Sequence, residues 1–287
     1  MEKVVSLPEA AKIVKSGDTL NIGTNSMAMV REIIRQGATD LFVQTPEPPP
    51  QALDMLAALG RLRRFESITF EYRWAPNCRR AVERGEVKAT MVTEAAWLQM
   101  VRAAGLGNTF SVQRSMLKTD LFRYLEELGE AAEIACPFTG QRYVALRTPN
   151  IDVFMVHAPY ADRLGNVQME RGSMSLYEQA LMAHKVIVTV EEIIDTEELM
   201  RRPYDTAIPG KFVDAVVKVP YAAHPVGLAG FYDADRDHLD YYTQRAEDHE
   251  GSKQYMDKYV FGVKDHMEYL NLIGLERLLE LRRTRRI

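Results

Sequence analysis

Several strand-like runs of this 287-residue chain are followed directly by side chains that can do acid–base or binding chemistry. Glu94 comes after VKATMV and falls in the first turn of the amphipathic run TEAAWLQMVRAAG. Parallel α/β sheets bind ligands at the carboxyl ends of their strands, where a glutamate can serve as a general acid or base. Glu94 is therefore a candidate catalytic residue. The alternative is a purely structural role, because a first-turn glutamate also interacts favourably with the helix dipole.

Glu71 and the polar helix NCRRAVERG form a second candidate group. Glu71 lies near the end of the strand-like run SITFEY and before a turn. We expect Asn77 to cap the helix, and Arg80 to contact either an anionic group of a substrate or solvent. Three aromatic residues of this segment indicate either a shaped apolar pocket or core packing: Phe70, Tyr72 and Trp74.

The apolar runs DVFMVHA and VIVTVEEI also end in polar residues. His157 can donate a proton or orient a substrate, but a buried histidine that is hydrogen-bonded to the backbone is the favoured interpretation. Asp162 and Asn166 lie in a predicted turn, where such side chains commonly bond their own backbone. Glu192 or Asp195 is expected to cap the helix that follows.

Motifs of nucleotide binding and of hydrolase catalysis are missing from the sequence. The chain lacks GxGxxG after a strand, GxxxxGK(S/T) and GxSxG, which argues against a dinucleotide site, a P-loop and a nucleophile elbow. Its six histidines have no HxH, HExxH or HxxxH spacing, and Cys78 and Cys136 form no CxxC pair. We therefore predict no metal site and no disulfide framework, as in a protein of the reducing cytoplasm.

The charge and hydropathy patterns favour a cytoplasmic globular protein. The formal net charge is −4, so binding to nucleic acid by counterion release is not expected. The basic cluster RRTRR at 282–286 is interpreted as a solvated last helical turn, with nucleic-acid binding as the alternative. No run approaches the roughly 18 apolar residues that span a membrane. The N-terminal run MEKVVSLPEAAK lacks the apolar region of a signal peptide and predicts a helix capped by Ser6, with Glu9 completing a capping box.

Strand-like and helix-like runs alternate, which predicts an α/β fold with a mostly parallel sheet and helices on both faces. The predicted strands are TLNIGT, DLFVQT, SITFEY, VKATMV, RYVALR, DVFMVHA, VIVTVEEI and DAVVKVP. The helices predicted between them include MAMVREIIRQG, QALDMLAALGRL, TEAAWLQMVRAAG and EQALMAH. Because no flexible linker divides the chain, we expect one domain over residues 1–287, in which residues from about 248 to 287 form peripheral helices.

Nearly the whole chain resembles the α-type subunits of the family I CoA-transferases, which include the glutaconate and 3-oxoacid CoA-transferases. The most specific segments are IRQGATDL (34–41), APNCRRAVERGEV (75–87), PFTGQRYVA (137–145), DVFMVHAPYADRLGN (152–166), IVTVEEI (187–193) and IPGKFVDAVVKVPYAAHP (208–225). The resemblance implies the NagB/RpiA/CoA-transferase-like fold, with coenzyme A as a substrate moiety and no permanently bound cofactor. It also implies a β-type partner subunit, often in an α2β2 assembly.

The resemblance also implies a mechanism. In this family a glutamate attacks the acyl-CoA thioester through an anhydride and then holds CoA as a glutamyl thioester until a second acid receives it. That glutamate normally belongs to the β-type subunit, so this chain would supply part of the pocket and oxyanion donors. The first interpretation is an α subunit of an enzyme that transfers CoA between carboxylic acids. A non-catalytic binding or scaffolding subunit is one alternative.

This chain departs from the family's pattern around the predicted pocket. The usual glycine-rich loop is IGTNSMAM here, with only Gly23, so the side chains of Asn25 and Ser26 change how closely the backbone approaches a thioester. PEPPP at 46–50 replaces the usual glycines before the second helix. We therefore expect a remodelled pocket. The predicted substrate-binding residues are Asn25, Ser26, Glu71, Asn77 and Arg80.

A divergent branch of the family hydrolyses a carbon–carbon bond in cyclic CoA thioesters during steroid-ring degradation. There the catalytic glutamate belongs to the α-type chain, in a segment that resembles Val92-Thr93-Glu94-Ala95. This resemblance implies a second alternative, hydrolytic ring opening with Glu94 as the acid–base group.

Overall fold

The computed structural model describes residues 2–23, 25–169 and 175–283 of the chain. Its strands are β1 (Thr19–Ile22), β2 (Leu41–Gln44), β3 (Leu62–Ser67), β4 (Lys88–Met91), β5 (Phe110–Gln113), β6 (Ala131–Ala135), β7 (Arg142–Arg147), β8 (Ile151–Ala161), β9 (Val167–Gln168), β10 (Ala183–Ile193), β11 (Thr206–Ile208) and β12 (Ala215–Lys218). Nine of these described strands form the main sheet, whose parallel part has the order β12-β10-β8-β1-β2-β3-β4. Short antiparallel pairings add β9 and β11 beside the end of β8, and β5-β7-β6 form a separate antiparallel sheet, the small sheet.

Helices cover both faces of the main sheet. They are α1 (Leu7–Ala11), α2 (Met27–Gln36), α3 (Pro50–Ala58), α4 (Pro76–Glu83), α5 (Glu94–Gly105), α6 (Asp120–Glu127), α7 (Leu176–Met182), α8 (Thr196–Leu199), α9 (Arg236–Ala246), α10 (His249–Met256), α11 (His266–Ile273) and α12 (Leu275–Arg283). One core cluster joins the sheet to α1–α4 and the C-terminal helices, and a second joins the opposite face to α5, α7 and the small sheet. The predicted α/β fold with a mostly parallel, doubly covered sheet is thus confirmed.

Local sequence signals place several elements as predicted. Ser6 Oγ accepts a hydrogen bond from the Glu9 amide, and the Glu9 carboxylate accepts one from the Ser6 amide, so the predicted capping box is present. Helix α2 ends at Gly37, which has a left-handed backbone (φ 87°) that costs glycine little. The C-terminal helices contribute Tyr255 and Tyr269 to the first core cluster. The division of the chain into one domain stays a prediction.

The predicted strand SITFEY is wrong. Strand β3 covers Leu62–Ser67 instead, and residues 69–71 lead into a 3₁₀ turn at Tyr72–Trp74. The sequence of β3, LRRFES, carries three charged residues, Arg63, Arg64 and Glu66, and therefore does not match the apolar pattern expected of a buried parallel strand. The small sheet was predicted only in part, since β7 was expected but β5 and β6 were not.

Among the described residues, no helix is long and apolar enough to cross a bilayer. The same residues contain no group of three or more His, Cys, Asp or Glu side chains that could hold a metal ion. Residues 284–286 of the basic cluster RRTRR lie outside the described ranges, while Arg282 contacts the ring of Tyr221 from 5.0 Å.

Candidate active site

The carboxyl ends of β1 to β4 share one edge of the main sheet, because these strands are neighbours and parallel. Backbone hydrogen bonds connect the segments that leave this edge. The Ile68 amide donates to the Pro46 carbonyl oxygen (3.0 Å), and the Val92 amide donates to the Ser67 carbonyl oxygen (3.1 Å). The segments after β2, β3 and β4 are therefore held side by side, at the edge where parallel α/β sheets bind ligands.

Glu94 is the first residue of α5 and leaves this edge after β4, as predicted. Thr93 is the N-cap of α5, and its Oγ1 accepts a hydrogen bond from the Ala96 amide at 3.2 Å. The Glu94 side chain is exposed and forms no hydrogen bond or ion pair with another described residue. A carboxylate fixed at a helix start but without a protein partner is available to a substrate.

Asn25 and Ser26 lie at the same edge, in the loop between β1 and α2. Asn25 has a left-handed backbone (φ 75°), a conformation that asparagine tolerates better than most residues. Ser26 is buried at the start of α2, and its hydroxyl has no hydrogen-bond partner among the described residues. A buried hydroxyl without a partner is costly, and next to a helix N-terminus it can donate to a ligand oxygen.

The packing around Gly23 explains why the loop after β1 keeps a glycine at this position. A Cβ atom at this position would lie 2.8 Å from a ring carbon of Phe154 and 3.0 Å from the Met155 carbonyl oxygen. The Gly23 amide donates to that same carbonyl oxygen at 2.8 Å, so β1 continues its pairing with β8 beyond its last residue. The close approach of the two strands excludes a side chain here.

Glu71 lies on an apolar groove at this edge. Its carboxylate is paired with Arg73 (Nη2 to Oε2, 3.0 Å), and both side chains are more than half exposed. Trp74, Val226 and Leu239 also line the groove, which has a volume of about 420 Å³. Phe70 and Tyr72, the other two aromatic residues of this segment, pack against the Phe65 ring of the core.

Asn77 and Arg80 make their contacts within the protein. The Asn77 amide donates to Asp54 Oδ2 and to Ser252 Oγ, both at 2.9 Å. Arg80 donates to Asn77 Oδ1 and to the Ala246 carbonyl oxygen, both at 2.7 Å. These bonds tie α4 to α9 and α10. The expectation that Asn77 caps α4 is wrong, because the helix already begins at Pro76. Its predicted role in substrate binding, and that of Arg80, stay predictions.

His157 is completely buried within β8. Its Nε2 lies 2.9 Å from Glu191 Oε1, and its Nδ1 lies 3.0 Å from Thr189 Oγ1. The same Glu191 oxygen accepts a hydrogen bond from the Tyr221 amide at 2.8 Å. The histidine therefore links β8 to β10 and to the segment that follows β12, which favours the structural interpretation.

Asp162 organises a turn, as the sequence predicts. Its Oδ1 accepts the amides of Leu164 and Asn166, both at 2.9 Å, and its Oδ2 accepts Thr196 Oγ1 at 2.9 Å. Helix α8 begins at Thr196 with Asp195 as its N-cap, although the Asp195 side chain makes no capping hydrogen bond. Residues 170–174 lie outside the described residues.

Arg64 and Glu66 of β3 were not predicted from the sequence as site residues. Both line a cavity between the main sheet and the small sheet, and burial raises the pKa of the Glu66 carboxyl. The available signal was the spacing of two positions between Arg64 and Glu66, which places both side chains on one face of a strand.

Comparison with known proteins identifies the family. The sequence profile of the coenzyme A transferase family matches residues 4–219, about three quarters of the chain. The chain therefore belongs to the coenzyme A transferase family. This confirms the predicted family.

Individual relatives agree in sequence and in backbone. The chain is 32% identical to the glutaconate CoA-transferase A subunit of Acidaminococcus fermentans, over 98% of this chain and 95% of that protein. The crystal structure of glutaconate coenzyme A-transferase from that organism superposes with a TM-score of 0.88 and 33% identity, and the match covers 98% of this chain and 95% of that one.

Other relatives have other names. A protein of Archaeoglobus fulgidus is 36% identical over 91% of this chain, which spans only 59% of that protein's length. The cholesterol ring-cleaving hydrolase IpdA subunit of Rhodococcus jostii is 27% identical over 92% of this chain and 94% of its own length.

Proposed function

We propose that the chain is the α-type subunit of a two-subunit enzyme that transfers coenzyme A between carboxylic acids. The observation that supports this most strongly is the full-length similarity, in sequence and backbone, to the glutaconate CoA-transferase A subunit. The 3-oxoadipate CoA-transferase A subunit of Pseudomonas knackmussii, 31% identical over 94% of this chain and 97% of its own length, favours the same function. Coenzyme A is then a substrate moiety. We further propose a β-type partner in an α2β2 assembly, in the cytoplasm.

The chemistry needs a nucleophile from the partner and donors from this chain. A partner glutamate attacks the thioester carbonyl carbon, the C–S bond breaks, and CoA leaves as a thiolate. The thiolate then attacks the glutamyl carbonyl of the anhydride and releases the first acid as its carboxylate. An acceptor carboxylate reverses these two steps and leaves with CoA. Negative charge develops on a carbonyl oxygen in every step, so hydrogen-bond donors placed there accelerate each one.

Ser26 is the donor that this chain supplies in the proposal. Its hydroxyl is buried, has no partner among the described residues, and lies at the N-terminus of the ten-residue helix α2. Both the hydroxyl and the helix dipole favour a negatively charged oxygen. Asn25 and the Glu71 groove would then border the thioester and the acyl group, respectively, along the same edge.

The test is turnover by the chain copurified with its β-type partner. The proposal predicts that consumption of an acyl-CoA requires a carboxylate acceptor, and that borohydride traps an enzyme–CoA thioester. Ser26→Ala should lower kcat/KM about tenfold or more, as expected for loss of one oxyanion donor. Ser111→Ala is the matched control, because Ser111 is another buried serine whose hydroxyl has no partner among the described residues. Consumption of acyl-CoA at full rate without an acceptor would contradict the proposal.

Glu94 supports the alternative function, CoA-thioester-dependent hydrolysis or ring opening. Its carboxylate is exposed at the sheet edge and has no partner among the described residues, so it is free to contact a substrate as an acid–base group must. Under this alternative, Glu94→Gln abolishes acceptor-independent consumption of a cyclic acyl-CoA. Glu276→Gln, which changes an exposed first-turn glutamate of α12, should leave the rate unchanged.

A non-catalytic binding or scaffolding subunit is the remaining alternative. It predicts that Ser26→Ala and Glu94→Gln both leave kcat unchanged in the copurified complex. The same pair of variants therefore separates the three functions.

A further inference from the structure

Helix α2 begins without the cap that its own serine could provide. Ser26 is the N-cap of α2, a position where a serine hydroxyl normally accepts a backbone amide two or three residues on. The Ser26 hydroxyl makes no such bond. The Ala28 amide, which a capping hydroxyl could take, instead donates to the Ala222 carbonyl oxygen at 2.9 Å. A distant carbonyl therefore caps α2 and leaves the Ser26 hydroxyl without a partner among the described residues.

This carbonyl belongs to residues 221–224, the capping segment, which lie just after β12 and contact α2 at two positions. Besides the bond to Ala28, the His224 carbonyl oxygen accepts Arg31 Nη1 at 2.9 Å. Arg31 is buried, and its guanidinium carbon lies 3.8 Å from the centre of the Tyr269 ring. The two bonds lie one helical turn apart, so the capping segment fixes the beginning of α2.

The capping segment has to be held in place, because its first residue has an unfavourable backbone. Tyr221 has φ 54°, in the left-handed region that a bulky side chain rarely adopts, and such a conformation persists only where surrounding contacts fix it. The Tyr221 amide donates to Glu191 Oε1 at 2.8 Å, and its hydroxyl donates to the Leu278 carbonyl oxygen at 3.0 Å. The Ala223 amide donates to the Tyr232 hydroxyl at 3.1 Å. These bonds fix the orientation of the carbonyl that lies between the two amides.

Glu191 ties the capping segment to the main sheet. It is 3% exposed near the end of β10, and its Oε1 lies 2.9 Å from His157 Nε2 of β8 as well as accepting the amide of Tyr221. The imidazole is held in turn by Thr189 Oγ1, 3.0 Å from its Nδ1. Arg282 of α12 lies 3.9 Å from the second carboxylate oxygen, Oε2. Because the carboxylate is fixed from these sides, it sets the position of the amide that it accepts.

We propose that Glu191 is a positioning residue for the oxyanion donor Ser26. The carboxylate holds the capping segment, the segment caps α2 through Ala222, and the serine hydroxyl is thereby left to donate to the substrate oxygen. Without that carbonyl the Ala28 amide loses its acceptor, and the Ser26 hydroxyl turns to cap it. Glu191 thus acts through Ser26 and not by contact with the substrate. This inference deepens the proposed function and rests on it.

The first test is kinetic and uses the chain copurified with its β-type partner. Glu191→Met keeps the shape of the side chain and removes the acceptor. It should lower kcat about tenfold, the loss expected for Ser26→Ala, and leave KM for the acyl-CoA unchanged. Glu191→Gln, which keeps an oxygen that can accept the Tyr221 amide, should restore most of the rate. Glu192→Gln is the matched control, because Glu192 is the exposed neighbour on the same strand and should leave both constants unchanged.

A double variant separates positioning of the donor from a general loss of structure. Because Glu191 acts through Ser26, Glu191→Met should lower kcat no further in a chain that already carries Ser26→Ala. Losses of kcat that multiply in the double variant would contradict the inference. A raised KM at unchanged kcat in Glu191→Met would also contradict it, since that result would place Glu191 in substrate binding.

Hydrogen–deuterium exchange tests the positioning in the same complex without acyl-CoA. In Glu191→Met, the amides of residues 26–31 and of the capping segment should exchange about fivefold faster than in Glu192→Gln, as expected for the loss of one hydrogen bond. Tyr232→Phe removes only one acceptor of the capping segment, and it should have the same effect if Glu191→Met does not fold. Unchanged exchange would overturn the inference, whether or not the complex transfers CoA. Faster exchange without any acceptor-dependent turnover would support the positioning and contradict the proposed function alone.

Discussion

Removal of Asp54 is predicted to destabilise the protein strongly, because this carboxylate connects three helices. Asp54 of α3 is completely buried. It accepts hydrogen bonds from the Tyr242 hydroxyl (2.6 Å), the Asn77 side-chain amide (2.9 Å) and the Cys78 backbone amide (2.8 Å). The Cys78 amide belongs to the first turn of α4, whose N-cap, Ala75, has no side-chain acceptor. Asp54 therefore caps α4 from a neighbouring helix.

The magnitude follows from the donors that Asp54→Ala would leave without an acceptor. Asn77 keeps its bond to Ser252 Oγ, but the Tyr242 hydroxyl and the Cys78 amide lose their bonds to Asp54. At about 1–3 kcal/mol for each buried unsatisfied donor, the loss lies between about 2 and 6 kcal/mol. The variant also removes the cost of burying a carboxyl whose pKa burial raises, so we expect about 3 kcal/mol.

Urea-induced unfolding followed by circular dichroism measures this loss as a shift of the midpoint. Asp120→Ala is the control, because Asp120 is an exposed aspartate that pairs with Arg123 on the surface of α6 and should contribute less than about 1 kcal/mol. A midpoint for Asp54→Ala equal to that of the control would refute the reasoning. The same network predicts that Asn77→Ala lowers stability and leaves KM for the acyl-CoA unchanged. A raised KM at unchanged stability would instead support the predicted substrate-binding role.

Three further predictions concern stability. Thr93→Ala should lower the melting temperature by the equivalent of about 1 kcal/mol, and Thr93→Ser, which keeps the cap to the Ala96 amide, should restore it. Gly23→Ala should cost about 1–3 kcal/mol in urea unfolding, because its Cβ would meet the Phe154 ring, and an unchanged midpoint would contradict this. Burial lowers the pKa of His266 to about 3. Below about pH 6.5 the unfolded chain therefore binds a proton at this histidine and the folded chain does not. This group should lower the free energy of unfolding by about 2 kcal/mol between pH 7 and pH 5. His266→Gln should flatten that pH dependence, and an equally steep fall would refute the assignment.

The sheet and its helices were predictable where the local pattern agreed with the tertiary environment. VKATMV and TEAAWLQMVRAAG read as a strand and a capped helix, and Glu94 accordingly lies where the sequence places it. Ser6 and Glu9 form their capping box because all of its atoms come from one turn of chain. A structural feature can be predicted from a single sequence when all the residues that form it lie within a few positions of one another.

The failures have one physical cause, which is that the partner lies far away in the chain. Strand β3 was missed because its charged residues have distant partners. Arg64 donates to Glu130, which lies just before β6 and more than sixty positions later, and Glu66 accepts from Gln44 of β2 and Thr90 of β4. Asn77 was expected to cap α4, but the side chain that accepts an amide at the start of this helix is Asp54, which belongs to another helix. The alignment of four buried polar residues across neighbouring strands could not be predicted for the same reason, since their register exists only in the folded sheet. These residues are Asn21, Gln44, Glu66 and Thr90.

The central claim, that this chain works in CoA transfer with a catalytic partner, is tested most directly by intact-protein mass spectrometry. The copurified complex is incubated with an acyl-CoA and no acceptor, and both chains are weighed. We predict that the partner chain gains the mass of CoA less one water, as a glutamyl thioester requires, and that this chain is unmodified. Adding a carboxylate acceptor should remove the adduct. An adduct on this chain, or no adduct on either chain while the acyl-CoA is hydrolysed, would contradict the claim.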